Sequence, residues 1–370
     1  MSFSFGFTTD DLENDPSGTS STTSNIDPQT NDSINPLDAT ELTGSDIIQP
    51  KIENVDDILR SLKDVRVSYE AIDVPSMDRN EINSARLFRR DLFDMKHQLM
   101  SEDNNTTLSK DDDDELDILM HEDLRKNIYE GGLKSWECSI DLVKLLNDGF
   151  NNTQELNFDQ INCITEIGCG TALPSQYIFS QYLKQNRSSG LKLILTDYNS
   201  SALRLATIPN IILAWVNAVL DKEQLSKLQP DDISMNYDEE IMFSAALLEA
   251  FNQDIKNKNI SLEFISGSWG RKFSNYLNDM LSSTTTSNEL LVLTSETIYQ
   301  PDHLPLISET LIELKQNTHF EKVNTMVAAK DIYFGVGGSL IEFENYLRKK
   351  NVQFDTRKVN AGLKRSIVLM

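Results

Sequence analysis

From residue 118 to the C-terminus, apolar runs of strand length alternate with stretches of helical spacing. Short apolar runs at 162–167, 191–196, 262–265, 290–294 and 323–329 predict five strands. Helical patterns fall at 174–184, at 200–206 with 211–220, at 241–252 and at 305–314. Gly337 and Gly338 then precede a helix over 340–349, and two last strands are predicted at 352–355 and 364–369. Repeated strand–helix units build a parallel sheet with helices on both faces. Five such units closing in a hairpin predict a Rossmann-like α/β fold with a seven-stranded sheet. Residues 221–258 are too long for an ordinary crossover and predict an insertion.

Upstream the pattern weakens. Val55, Ile58, Leu59, Leu62 and Val65 have near-helical spacing within 52–67, and 86–100 mixes basic with apolar residues. Residues 101–115 are polar and acidic, and Asp111 to Asp114 read as a solvated run without a site. Residues 1–60 hold 12 Asp or Glu against two basic residues, Lys51 and Arg60. Such a segment buries too little apolar surface to offset its ordering entropy. The expected organisation is a largely disordered acidic tail over 1–85, an N-terminal extension and linker over 86–117, and one domain over 118–370. Phe3, Phe5 and Phe7 alternate in the tail, as a docking motif or as incidental aromatics.

Composition narrows the function. A net charge of −24 opposes binding to a phosphate backbone and suits attraction of basic partners, including basic proteins, or simple solubility. Cys138, Cys163 and Cys169 form no C-x-x-C pair, and His97, His121, His303 and His319 make no ligand motif, so neither a disulfide framework nor a metal site is expected. No basic-then-apolar leader opens the sequence and no run of eighteen apolar residues occurs, which predicts a cytoplasmic and nuclear protein without a membrane span.

The strongest local signal is Glu166-Ile167-Gly168-Cys169-Gly170-Thr171-Ala172, directly after the first predicted strand. Glycines at alternate positions let the backbone turn tightly against a ligand. The third in-phase glycine of a dinucleotide loop is replaced by Leu173, and the lysine of a P-loop is missing. S-adenosylmethionine carries no phosphate and suits this sparser loop. One βα unit later Asp197 ends a strand, where a carboxylate can accept from ribose hydroxyls. It could instead cap the next helix, which opens at Asn199-Ser200-Ser201. Glu166 stands where it could hold the methionine amino group, directly or through water.

These two motifs look like the cofactor site of the seven-β-strand methyltransferases. With Tyr129-Glu130-Gly131-Gly132-Leu133-Lys134-Ser135-Trp136-Glu137-Cys138, Ser266-Gly267-Ser268-Trp269-Gly270 and Leu293-Thr294-Ser295-Glu296-Thr297-Ile298-Tyr299, the sequence closely resembles the fungal histidine protein methyltransferases. The first seven residues and Asp94 to Met100 are similar too, so the resemblance spans residue 87 to the end plus the extreme N-terminus. It implies a methyltransferase using S-adenosylmethionine to modify a histidine, at the tele nitrogen, of a large-subunit ribosomal protein. A chaperone or assembly factor is a further partner to expect, and neither nucleic acid nor membrane is.

The resemblance also implies roles. Glu296 and Tyr299 form an acidic-x-x-aromatic motif: Glu296 would fix the imidazole tautomer and Tyr299 would wall the acceptor pocket. The bland alternatives are a turn cap before Pro301 and a core tyrosine. Trp269 would cover the adenine or belong to the core; Trp136 and Glu137 would lie on a helix over the cofactor edge, or Trp136 would anchor that helix. Asn199, Ser268 and Ser295 complete the expected cofactor positions. The stretch 331–338 would shape the acceptor mouth or merely turn the chain, and His97 is a candidate for self-methylation. The rival activity is protein-lysine methylation on the same fold, which needs a deprotonated amine.

Overall fold

The computed structural model describes residues 34–39, 48–77, 84–103, 130–152, 160–185, 189–230, 236–284, 289–359, 362 and 364–370. Phe3, Phe5, Phe7, Asp111 to Asp114, His121, Tyr129 and the predicted domain start at 118 lie outside them. The elements that follow belong to one compact unit, Asn35–Met370.

A 3-10 turn, Pro36–Asp38, comes first, then β1 (Lys51–Glu53), α1 (Val55–Ser61), β2 (Arg66–Pro75), β3 (Ser84–Arg90) and α2 (Leu92–Asp103). The α/β body runs α3 (Glu137–Asn152), β4 (Ile161–Ile167), α4 (Leu173–Lys184), β5 (Leu191–Asp197), α5 (Ser200–Val219), α6 (Lys222–Lys227), β6 (Glu240–Met242), α7 (Ala245–Asn257) and β7 (Ile260–Ser266). It continues α8 (Arg271–Ser282), β8 (Glu289–Ser295), α9 (Leu304–Lys315), β9 (Lys322–Lys330), α10 (Leu340–Lys349), β10 (Asp355–Val359) and β11 (Arg365–Leu369).

The main sheet has the order β1-β7-β5-β4-β8-β9-β11-β10. Strands β7, β5, β4, β8 and β9 are parallel, while β11 lies antiparallel between β9 and β10. The seven predicted strands are all present. The eighth is β1, which pairs antiparallel with the edge of β7 through Ile52 and Ile265. The chain leaves β4 toward β5 and β7, then crosses back to β8, so the carboxyl end of β4 is the topological switch point where ligands settle in open α/β sheets.

Every residue of β4 and β5 is buried, the near-continuous apolar reading of a sheet covered on both faces. The pleat divides them. Leu193, Leu195, Leu291 and Leu293 join one core cluster with α3, α4, α5 and α7, whereas Ile194, Leu290 and Val292 join the other with α8, α9 and α10.

Four expectations are corrected. The tail does not extend to 85 as disordered chain: residues 48–77 form β1, α1 and β2, because Ile58, Leu59, Leu62, Val67 and Tyr69 bury into the main core. The 86–117 extension begins with β3 and α2, which belong to the folded body, and within 52–67 the helix is limited to α1. The 241–252 helix starts later, since β6 pairs Ile241 with Val67 and completes a small β3-β2-β6 sheet from the insertion. The last hairpin starts at Asp355, after Asn351 (φ +58) and the Val352 N–H to Leu347 carbonyl bond close α10.

Helix α5 is continuous where the sequence predicts two pieces. Pro209 cannot donate to the carbonyl four residues back; a π-turn at Leu203–Thr207 widens the helix there, and the Leu205 carbonyl accepts from the Arg90 guanidinium at 3.2 Å. By length and composition α5 could cross a membrane, but 78% of its apolar window is buried within the protein. It is a core helix.

Candidate active site

The carboxyl ends of β4 and β5 emerge side by side, and the glycine loop turns between them. Gly168 (φ +64) and Gly170 (φ +48) occupy the left-handed region that favours glycine. Close packing demands glycine as well: a Cβ on Gly168 would sit 2.5 Å from Thr297 Cγ2, and one on Gly170 would sit 2.9 Å from the Gly132 carbonyl oxygen. The loop is tied back by the Cys169 N–H to Thr196 O (2.8 Å) and by the Thr207 hydroxyl to Gly170 O (2.6 Å).

Asp197 spans the gap. Its Oδ2 accepts from the Gly170 N–H at 2.9 Å and its Oδ1 from the Asn199 N–H at 3.1 Å. It therefore braces the glycine loop, while Asn199 takes the N-cap position of α5. Burial raises the Asp197 carboxyl to about 6, against the opposing pull of the Gly170, Asn199 and Tyr198 N–H groups. With three N–H partners for about four acceptor sites, the carboxylate keeps capacity for a ligand.

Above this floor lies a cavity of about 1140 Å³. Gly168, Gly170, Asp197, Ser268, Trp269, Ser295, Glu296, Tyr299 and Trp136 all line it, so nine of the twelve sequence-predicted site residues share one cavity. Trp269 also packs on the core, and its ring meets His303 edge-on at 6.5 Å. Ser268 donates from its backbone and its hydroxyl to the Ile48 carbonyl, both at 2.9 Å, fastening the segment before β1 beside the site. Trp136 precedes α3 rather than lying on it; its Nε1 donates to the Gly131 carbonyl at 3.1 Å.

Three residues are elsewhere. Glu166 is wholly buried beneath the loop, with Oε2 accepting from the Ser175 N–H at 3.0 Å and from its hydroxyl, so it does not line the cavity. Burial pushes its carboxyl up to about 7, the Ser175 donors opposing. Asn199 also lies behind the wall, its Oδ1 accepting from the Glu130 N–H at 3.0 Å. Glu137 opens α3 and pairs with Lys330 at 3.2 Å. Asn199 and Glu137 thus bond to lining residues, whereas Glu166 bonds to Ser175 behind them; His97, exposed on α2, is not in the lining either.

Another part of the lining is built at the tip of β8. Glu296 holds φ +59, a costly conformation outside glycine, pinned by its N–H to the Ala328 carbonyl at 3.0 Å. Its Oε1 is buried without a hydrogen-bond partner among the described residues, and the Lys330 ammonium stands 3.7 Å away. That ammonium lies 5.3 Å from the Trp136 ring. Burial works against its charge, but Glu296 and Glu137 more than offset this and raise its pKa. Burial, reinforced by the Glu296 charge, drives both the Cys138 thiol and the Tyr333 hydroxyl upward, keeping them protonated and able to donate to that carboxylate. Tyr299 meets Tyr333 edge-on at 6.3 Å.

Sequence reasoning did not name Glu130, Gly132, Tyr198, Thr297, Lys330 or Tyr333 as site residues, yet each lines the cavity. Gly132 stands in the sequence only within the 129–138 motif; Lys330 ends β9 and Tyr333 lies in the 331–338 stretch, so the strand end is their local signal.

No family model matches the chain. It is 49% identical over its full length, and over 98% of the relative, to Histidine protein methyltransferase 1 of Saccharomyces cerevisiae. The protein of that name from Schizosaccharomyces pombe is 35% identical over 70% of this chain and 68% of its own. A Bos taurus homologue is 28% identical over 68% of this chain and 57% of its own. Whole-length identity of this order, on a sheet with a ligand cavity at its switch point, leads to one conclusion: the chain belongs to the histidine protein methyltransferase family, and it is a methyltransferase.

Proposed function

We propose that this protein transfers the methyl group of S-adenosylmethionine to the tele nitrogen of a histidine in a large-subunit ribosomal protein. The observation that carries the proposal is the meeting, in one cavity, of a braced glycine loop and Asp197 with Glu296, whose Oε1 is buried without a hydrogen-bond partner among the described residues.

The residues present fit the donor. Its ribose hydroxyls can donate to the remaining acceptor capacity of Asp197, Gly168 and Gly170 line the same cavity, and Trp269 in that lining can offer a flat apolar face to adenine. When bound, S-adenosylmethionine supplies an electrophilic methyl on a sulfonium. The chain's own residues supply alignment, the main contribution to an in-line displacement. A histidine with an ordinary pKa of about 6.5 is largely neutral near pH 7 and attacks without prior deprotonation. Glu296 accepts the hydrogen of its other ring nitrogen, which sets the attacking tautomer and offsets the positive charge that develops. Lys330 keeps that carboxylate company, so an ammonium acceptor would have to compete for it whereas a neutral imidazole need not; this favours histidine over lysine.

A cytoplasmic and nuclear setting belongs to the same proposal, and three free, buried cysteines suit a reducing compartment. The test incubates purified protein with labelled donor and ribosomal proteins from cells lacking the enzyme, then locates the label by residue-level mass spectrometry. One histidine of one large-subunit protein is expected to carry it. Glu296→Gln should lower kcat by about a hundredfold while donor affinity stays unchanged. Label on lysine or on RNA alone would end the proposal.

A further inference from the structure

Four of the eight large apolar residues that stand exposed among the described ones fall within ten positions: Ile332, Phe334, Val336 and Ile341. Phe334 is 81% exposed. Clustered apolar exposure at the edge of a cavity marks a recognition surface more often than chance does. Here Ile332, Phe334 and Val336 also line the large cavity itself.

The exposure is enforced by the backbone. The Gly338 N–H donates to the Tyr299 carbonyl at 2.9 Å, and the Tyr333 N–H donates to the Gly338 carbonyl at 2.9 Å. The Gly337 N–H returns to the Tyr333 carbonyl at 3.0 Å. A Cβ on Gly338 would lie 2.3 Å from the Tyr299 carbonyl oxygen, so the turn is pressed directly onto the backbone that follows Glu296. Clamped this way, the turn directs Tyr333 inward to the Glu296 carboxylate and leaves its neighbours Ile332 and Phe334 outward. One short segment thus carries both the inner wall of the acceptor pocket and its outer rim.

We propose that residues 331–338 form the docking lip for the acceptor polypeptide, with Phe334 receiving an apolar side chain adjacent to the target residue. The proposal deepens the function argued above and rests on a polypeptide being the acceptor. The occupant follows from continuity: a side chain entering the cavity to reach Glu296 brings its flanking residues across this rim. The net charge of −24 adds long-range attraction for a basic polypeptide, while the lip supplies short-range apolar contact.

The experiment compares wild-type protein with Phe334→Ser and Phe334→Leu, using as acceptor the polypeptide that wild-type protein labels in the ribosomal-protein fraction. Phe334→Ser should raise the acceptor KM by roughly tenfold to a hundredfold, the value of burying one aromatic side chain. Phe334→Leu should restore most of that loss, with donor Kd and saturated kcat within about twofold of wild type in both variants. An unchanged KM overturns the lip, as does a loss confined to kcat. Sedimentation showing that Phe334→Ser converts a dimer to a monomer at unchanged KM would assign the surface to a second copy and overturn it too. The comparison is run on whichever polypeptide wild-type protein labels, so a wrong acceptor identity is visible in the label and leaves the KM result to judge the lip.

Discussion

Gly132→Ala should weaken donor binding although residue 132 has no chemistry to lose. The new Cβ would lie 2.7 Å from Ala202 Cβ and 3.0 Å and 3.2 Å from the two oxygens of Asp197. Carbon atoms pack at about 3.5–4.0 Å, so something must move by close to 1 Å. Ala202 sits in the first turn of α5 and is wholly buried, which leaves the Asp197 carboxylate or the 131–132 turn to yield. Overpacking of this kind costs about 1–3 kcal/mol. If Asp197 yields, a hydrogen bond to a charged group, about 1.5–3 kcal/mol, is compromised in the complex, and donor Kd rises roughly tenfold to a hundredfold. Titration calorimetry with S-adenosylmethionine measures this directly. Gly362→Ala is the control, because Gly362 lines the same cavity and its Cβ would meet nothing within 4 Å. A Gly132→Ala variant that binds donor within twofold of wild type would refute the view that Asp197 is held in position by contact from the 131–132 turn.

Stability should also fall with rising pH in the donor-free protein. Unfolded Glu166 ionises near 4.5 but the folded carboxyl holds its proton to about 7, so folded chain binds the extra proton between those values and loses roughly 3 kcal/mol across them. Glu166→Gln should match wild type near pH 5 and exceed it at pH 8 in urea denaturation; an equal difference at both pH values would exclude this origin. Arg365→Met strips the main partner from Asp141, which is 1% exposed and bonded at 2.5 Å. With Lys144 still 3.1 Å away, the loss should fall at the low end of about 3–5 kcal/mol, and Asp141→Leu in the same protein should recover it. An unmoved denaturation midpoint in the single variant would remove the pair from the stabilising network.

The parallel sheet was legible because its strands are short apolar runs separated by helical periodicity, and β4, β5, β8 and β9 lie within one or two residues of expectation. What escaped was structure whose reason is non-local. β1 is three residues long and has no pattern of its own; it exists because the edge of β7 offers unpaired backbone groups. β6 is equally short and exists because β2 lies opposite. The helix over 200–206 and 211–220 reads as two pieces because local rules cannot see that Arg90, 115 residues earlier than Leu205, will take the carbonyl that Pro209 leaves free.

The same distinction separates the site residues that were visible from those that were not. Gly168 and Gly170 announce themselves beside a strand because their backbone needs positive φ, a property of the local chain. Gly132 is required for a different reason: three segments distant in sequence meet there, and the missing Cβ is the space in which Asp197 and α5 fit. Lys330 and Tyr333 likewise acquire meaning only when β9 and its following turn come beside Glu296. The glycine-loop end of the cavity therefore reads from a motif, because it is built from one loop and one strand tip. The acceptor end is assembled from the ends of β8 and β9 and the start of α3, so its residues share a place but no spacing. That assembly makes the 331–338 turn the point at which an acceptor's flanking residues and the Glu296 carboxylate are mechanically joined: a substitution that loosens Gly338 against Tyr299 should disturb acceptor KM and kcat together, whereas one confined to Phe334 should disturb KM alone.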